Sequence, residues 1–375
     1  MKALSVTDLV SPAWCELQYW YTLTRHGRKK RTPAMKQGSI VHKRLEDQVH
    51  TTVKVDIATK EDAWGLRIWN VIQGLRTLRD TGQTRELEIW GVVDGIVVNG
   101  IIDELSYICP DAALEDSLQK SSAPPQGVLD PDQPTILNYF FAAGARTLAE
   151  AAKVPRRSQS DKVYLCDVKT RSVRSLPSEA AFRPTKMQLM LYHRLLSSLA
   201  VNDVDFSILT TRYDLDPLGP FSDSFIAQVG SLNDDSFYEM DSVPNGSQEL
   251  EHWSQDSMAT LLAHNSLSAL WSFMISEFQN VLPLGAASLG NVLQAEYRKS
   301  DTGEVMGSKT FAMEEDVLKS YVGHKMQWWR GEREPQGVVI EEAFKCRTCE
   351  FADDCEWRLG KVEEATRKAR KSRLR

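Results

Sequence analysis

The sequence predicts an α/β protein with a mixed central sheet flanked by helices, and three observations carry that prediction. Apolar residues recur at helical spacing before residue 80 and again beyond Pro184. Between Glu86 and Ile108 the period shortens to two, as in strands with one covered face. Residues 163–170 open with four apolar residues and add Val168 between Asp167 and Lys169, as in a strand buried on both faces. With 375 residues, 42% of them apolar, the chain can bury a large core, and 1–375 is read as a single domain.

Taken in order, residues 4–24 are expected to form one helix, opened by Ser5 or Thr7 and limited in its first turn by Pro12, with Cys15 on its side. Arg25, Arg28, Lys29, Lys30 and Arg31 follow as a solvated loop. Residues 35–49 repeat Ile40, Val41, Leu45 and Val49 at helical spacing, which puts His42 and Glu46 on one face. Residues 64–78 are a second amphipathic helix. Strands are predicted over 86–90, 91–98 and 101–108, with Asn99-Gly100 as a hairpin turn.

Residues 109–134, with five prolines, read as a flexible insert, and 136–152 as a helix. After the 163–170 strand, Pro184 introduces a helix carrying Gln188, Leu189, Leu191, Tyr192, Leu195 and Leu196. Residues 206–213 are read as a strand, 213–257 as a second flexible insert, and 258–282 as helix. Residues 291–298 and 309–311 read as extended, 314–330 as a helix, and 361–375 as a basic helical tail.

The formal charge of −6 argues at first against a polyanionic partner. The acids are concentrated, however. Residues 111–134 carry −4 and residues 213–257 carry −10, which leaves the rest of the chain at +8. No run approaches the roughly 18 to 20 apolar residues needed to cross a bilayer, so no membrane association is expected. Six cysteines are too few for a disulfide scaffold in a chain of this length. Cys109 and Cys166 lie in apolar runs and read as buried small hydrophobes.

Charged residues inside apolar strands demand an explanation, because unpaired charge is costly to bury. Asp103 lies in Gly-Ile-Ile-Asp-Glu-Leu, and Asp167 and Lys169 lie two apart in the 163–170 strand, on one face. Two carboxylates that hold a divalent cation, beside an ammonium that steadies developing charge, suit phosphodiester cleavage. His42 can complete the metal shell, which favours Mn²⁺ somewhat over Mg²⁺, and the carbonyl of Val168 is a further candidate ligand. Glu46 is a candidate partner of His42 or of a metal-bound water.

The order of local words (Trp-Cys-Glu near the start, Gly38-x3-His42-x2-Leu45-Glu46, the Asp103 strand, Asp167-Val168-Lys169-Thr170-Arg171, Gln188-x3-Tyr192, and a closing C-x2-C-x5-C) resembles the RecB-type branch of the PD-(D/E)XK nucleases, and within it the exonuclease V family. The likeness spans residues 4 to 358, and the Pro-Asp of the motif name appears here as Ile102-Asp103. It implies a restriction-endonuclease-like fold, metal ligation by His42, Asp103 and Asp167, and catalysis by Lys169. It further implies that Gln188 and Tyr192 position the DNA end, although a tyrosine on a Leu-rich helix face is equally a core residue. Thr170 and Arg171 would face the nucleic acid.

The resemblance also implies a [4Fe-4S] cluster on Cys15, Cys346, Cys349 and Cys355, built into the 340–360 segment and joining the two ends of the chain. One tight triplet with a single remote cysteine is less typical of zinc. The implied substrate is single-stranded DNA, cut from free ends into short oligonucleotides during DNA repair or genome maintenance. A single-strand-binding protein is the expected accessory partner, the chain is expected to act as a monomer, and the compartment is the mitochondrion or nucleus. The rival reading is a cluster-bearing single-strand-binding protein without catalysis, which would have no need of Asp103, Asp167 and Lys169 together.

Overall fold

The computed structural model describes residues 3–27, 32–122, 162–230, 236–241 and 255–373. Its first segment is not one helix. Strand β1 (Leu4–Ser5) leads into helix α1 (Val6–Val10), capped by a reciprocal Ser5–Asp8 capping box. A 3₁₀ turn, Ser11–Ala13, accommodates Pro12, and Cys15 takes an extended conformation as the N-cap of helix α2 (Glu16–His26). The proline that was expected to limit a first turn instead divides two helices, and Cys15 stands at a helix mouth. The basic loop residues 28–31 lie outside the described residues.

Helix α3 (Pro33–Glu46) starts where its residues dictate, with Pro33 in the first turn and Thr32 accepting from the amide of Met35. After strand β2 (Thr51–Asp56), helix α4 (Lys60–Thr81) buries residues on nearly every side. Strands β3 (Gln83–Val93) and β4 (Ile96–Ser106) form one long hairpin. Its turn is Asp94-Gly95, both residues having positive φ (49° and 78°), as a two-residue type I′ turn requires. Asn99-Gly100, the expected turn, lies within β4. A Cβ at Gly100 would fall 2.6 Å from the Tyr192 ring and 2.8 Å from Val6, so this glycine permits close packing rather than reversal.

The start of the 109–134 insert is structured. Helix α5 (Ala112–Ser122) is anchored by the buried Glu115, which accepts from Lys162 at 2.7 Å and from the backbone amides of Asn291 and Val292 at 3.0 and 3.1 Å. Residues 123–134 and the predicted 136–152 helix lie outside the described residues. Strand β5 (Tyr164–Arg171) precedes helix α6 (Glu179–Ala200), which opens at Ser178 and contains Pro184 instead of beginning there.

Residues 206–213 are a helix, α7 (Phe206–Tyr213), against the expected strand. Asp205 caps it by accepting from Ser207, and Asp214 closes it in the left-handed conformation. Within the acidic 213–257 segment, the described residues include helix α8 (Asp223–Gly230) and strand β6 (Ser236–Asp241), which pairs in parallel with β2. Helices α9 (Gln255–Ala263) and α10 (Leu267–Val281) divide at Ser266, which caps the second. Strands β7 (Val292–Lys299) and β8 (Val305–Ala312), helix α11 (Glu315–Trp329), a 3₁₀ segment (Ile340–Thr348) and helix α12 (Glu356–Arg373) complete the described chain.

The main sheet is mixed. Antiparallel pairs join β3 to β4, β4 to β5 and β7 to β8, while β5 and β7 run parallel. One edge of β4 is filled by β3 along its whole length. The other is shared: β1 takes Val98 and Asn99, and β5 takes only Glu104, Leu105 and Ser106. The sheet therefore splits beside residues 100–103, and Asp103 is the first residue beyond the β5 pairing. Among the described residues, no helix is long and apolar enough to cross a membrane.

Candidate active site

The split in the sheet is filled by polar side chains. Asp103 turns its carboxylate into the gap, where Oδ2 accepts from the Val168 amide at 2.7 Å. Helix α3 lies over the β5 side, with Val41 and Leu45 packed on Val168, and this seating brings His42 down to the gap. Its Nε2 lies 3.1 Å from the Val168 carbonyl oxygen, and its Nδ1 lies 3.2 Å from Glu86 Oε1 and 3.8 Å from Asp103 Oδ1. Among the described residues, His42, Glu86 and Asp103 form a group whose donor atoms all lie within 4.8 Å of one another.

Glu86 was not anticipated as a site residue. It stands opposite Asp103, where the β3–β4 ladder skips one pair between Arg85↔Glu104 and Leu87↔Ile102. Its φ of +51° is a left-handed conformation that costs a non-glycine residue about 1–2 kcal/mol. Glu46, the expected partner of His42, accepts instead from Lys43 at 3.3 Å, because the imidazole turns away from its own helix toward the strands.

Asp167 and Lys169 share the opposite side of the gap. Lys169 Nζ lies 2.7 Å from both Asp167 oxygens but hydrogen-bonds only Oδ1, and Oδ2 is buried without a hydrogen-bond partner. Burial alone would lower the Lys169 ammonium, yet the Asp167 and Asp103 carboxylates hold it well above its ordinary value. It is therefore a fixed cation, and a third of its side chain remains exposed. Burial raises both Asp103 and Asp167, against the pull of Lys169 and His42. The Glu86 hydrogen bond, aided by Asp103, raises His42 despite burial.

Gln188 donates to the Tyr192 hydroxyl at 3.1 Å, one helical turn along α6. Tyr192 is buried against Gly100, and its hydroxyl is pushed up by burial and by the nearby Asp167 charge. It is both a core ring and a wall of the site. Thr170 and Arg171 part company. Thr170 lies beneath α3, where a Cβ on Gly38 would come within 3.0 Å of its hydroxyl, while Arg171 continues the Asp167–Lys169 face with its guanidinium 6.0 Å from the Tyr297 ring centre. Cys109 and Cys166 are only half-buried, the latter beside Glu104 and Glu296.

An imidazole, the Val168 carbonyl and the Glu86 and Asp103 carboxylates, with the buried Asp167 carboxylate beside Lys169, fit a hard divalent cation. A pH test follows from Asp167. Its folded pKa lies above its ordinary value, so its ionised form opposes folding, and that cost develops as pH rises toward 8. Asp167→Asn should therefore melt higher, relative to the unsubstituted protein, at pH 8 than at pH 5 without metal. It should lose the stabilisation that MnCl₂ confers, which in the unsubstituted protein should be larger at pH 8 than at pH 6. Equal Mn²⁺ shifts at both pH values, or in the variant, would refute this role.

Residues 1–358 match the exonuclease V family, described as a 5′ deoxyribonuclease. The chain belongs to the exonuclease V family. Exonuclease V of Danio rerio is 24% identical over 372 residues, covering 98% of this chain and 73% of the relative. The mitochondrial exonuclease V proteins of Candida albicans (strain WO-1) and Eremothecium gossypii are each 24% identical, covering 97% and 95% of this chain and 75% and 76% of the relatives. Membership makes the chain a nuclease, and divalent metal use accords with its donor set.

Four cysteines of this exonuclease V chain gather apart from the His42 group, at the mouth of helix α2. Cys15, Cys346, Cys349 and Cys355 line one small cavity beside Trp14 and Phe351. They do not reach the close spacing of the His42 group. Burial raises the thiols of Cys15, Cys346 and Cys349. Next to Cys15, Glu16 is almost wholly buried and accepts from Lys325 at 2.6 Å, from Arg333 at 2.5 and 2.8 Å, and from the Gln336 amide at 2.8 Å.

Proposed function

We propose that this chain is a divalent-metal-dependent exonuclease that hydrolyses single-stranded DNA from a free 5′ end, releases short oligonucleotides, and serves DNA repair. One observation carries the reading: His42, Glu86, Asp103, Asp167 and Lys169, from four separate elements, converge where the sheet splits. The 5′ direction follows the description of the family. A mixed sheet crossed by α6, with acids at the β4–β5 divergence, supports a restriction-endonuclease-like fold.

In this reading His42, Asp103, Asp167 and the Val168 carbonyl hold the cation, and Glu86 either joins them or fixes the His42 ring through Nδ1. The cation would supply Lewis acidity toward the phosphoryl oxygen and a lowered water pKa. Lys169 stays protonated through the reaction and offers its exposed face to the phosphate, which makes it a countercharge and not a general base. Gln188 holds the Tyr192 hydroxyl at the wall of the site, and Arg171, beyond Lys169, faces the neighbouring phosphate.

The four-cysteine cavity supports a [4Fe-4S] cluster that clasps the ends of one domain. Such a clasp closes a loop of more than three hundred residues and so contributes folding free energy, without entering the chemistry. The purified protein should show a broad visible absorption band that Cys346→Ser abolishes, and a colourless protein containing zinc would overturn the cluster. The names of the fungal relatives favour the mitochondrion over the nucleus. The function itself is tested with internally labelled single strands, linear against circular, in Mg²⁺ or Mn²⁺. Short labelled products from linear strands alone are expected, and efficient cutting of circles would contradict end dependence.

A further inference from the structure

Three cations stand on the rim formed by the first turns of α6 and strand β8, and each is held by a carboxylate. Arg183 pairs with Glu342, Lys186 with Glu314 at 2.8 Å, and Lys309 with Glu179. The rim is close to the chemistry. In the sheet register Asp167 pairs with Ala295 and Ala295 with Lys309, so Lys309 lies two strand spacings from Asp167, about 10 Å, on the same face. Lys186 is on the helix that carries Gln188 and Tyr192 to the site.

Aromatic rings keep these cations in position. Lys309 Nζ lies 4.8 Å from the Phe182 centroid and Lys186 Nζ 5.7 Å from that of Phe311, while the two rings meet edge to face at 5.4 Å. The acids are held less firmly. Glu179 and Glu314 are 85% and 44% exposed, and exposed pairs of this kind contribute little. Glu342 is more buried, but it has a second partner. It also accepts from the buried Lys345 at 2.6 Å, and Lys345 in turn donates to the Trp14 carbonyl at 2.9 Å. The half-exposed Arg183 can thus leave Glu342 without stranding an unpaired buried charge.

We propose that Arg183, Lys186 and Lys309 bind the phosphates of the strand next to the scissile bond, and that Glu342, Glu314 and Glu179 are placeholders which the phosphodiester backbone displaces. This rests on the single-strand nuclease reading above and adds to it the subsite and a built-in electrostatic threshold for occupying it. Neutral lids on the cations would admit only ligands with several regularly spaced negative charges.

Binding of a labelled single strand to the full-length protein, with calcium in place of magnesium and across a salt series, tests it. The double variant Glu179→Gln, Glu314→Gln should bind roughly 3- to 10-fold tighter at low salt, a gain that misfolding cannot produce. Asp214→Asn, which removes an acid from the exposed Lys60 pair elsewhere on the surface, should leave affinity unchanged. The triple variant Arg183→Ala, Lys186→Ala, Lys309→Ala should lower the slope of log affinity against log salt by about 2, as the loss of three phosphate contacts to a single strand predicts. An acid-pair variant no tighter than Asp214→Asn, or an unchanged slope in the triple variant, overturns the subsite while leaving the nuclease reading intact. Absence of single-strand binding by the unsubstituted protein overturns both.

Discussion

Lys169→Met should lower single-turnover cleavage of a 5′-labelled strand by roughly 10²- to 10³-fold or more, while leaving strand affinity within about twofold. Methionine keeps the length and apolar stem of lysine and removes only the charge. What disappears is an ammonium that two buried carboxylates hold charged and that lies 2.7 Å from Asp167. Binding should survive because the proposed subsite of Arg183, Lys186 and Lys309 would still hold the strand. Without the ammonium Asp167 ionises less readily, so the metal requirement should rise as well, and the rate must be compared at saturating Mn²⁺. A defect that persists there belongs to the lost countercharge. Turnover equal to that of the unsubstituted protein would remove Lys169 from the mechanism.

The second large effect is on stability. Glu16→Ala should cost about 3–5 kcal/mol, because truncating one member of a buried ionic cluster leaves the others uncompensated. Glu16 is 2% exposed, and its cation partners Lys325 and Arg333 are 12% and 15% exposed. Burial pulls its pKa up, but Arg333 and Lys325 prevail and hold it at about 2, below the ordinary 4.5. A depressed carboxylate contributes stability that is complete above pH 4.5 and disappears as pH falls toward 2. Chemical denaturation at pH 7 and at pH 3 gives the comparison, and the gap between variant and unsubstituted protein should narrow at the lower pH. A gap that is constant with pH would mean that packing, not charge, holds α2 in place.

Asp103, Asp167 and Lys169 stood out in the sequence because charge inside an apolar strand has few benign explanations, and His42 because it sits in the Gly38-x3-His42-x2-Leu45-Glu46 word that precedes them. The mixed sheet and most helices were legible from periodicity. Glu86 was not: in Arg-Glu-Leu-Glu-Ile it resembles any alternating surface acid, and its left-handed backbone arises from tertiary contacts that no local pattern encodes. Asn99-Gly100 misled because a glycine needed for a turn and one needed for a neighbouring ring look alike in one dimension. Residues 206–213 were too short for apolar pattern alone to separate helix from strand, although Asp205 before Phe206 was an available capping signal. The mistaken 109–134 boundary has a similar cause, since prolines further along concealed the anchor at Glu115.

The partners of Glu16 have a consequence for how the molecule comes into being. Lys325 and Arg333 follow it by 309 and 317 residues, so during synthesis Glu16 has neither cation partner until residue 325 has been made. The residues of the sheet gap, 42 to 169, are synthesised well before these cations, so the Glu16 ion pairs of helix α2 form only after the gap residues have been made. A product interrupted before residue 325 would therefore hold the residues of the sheet gap without the ion pairs that seat helix α2.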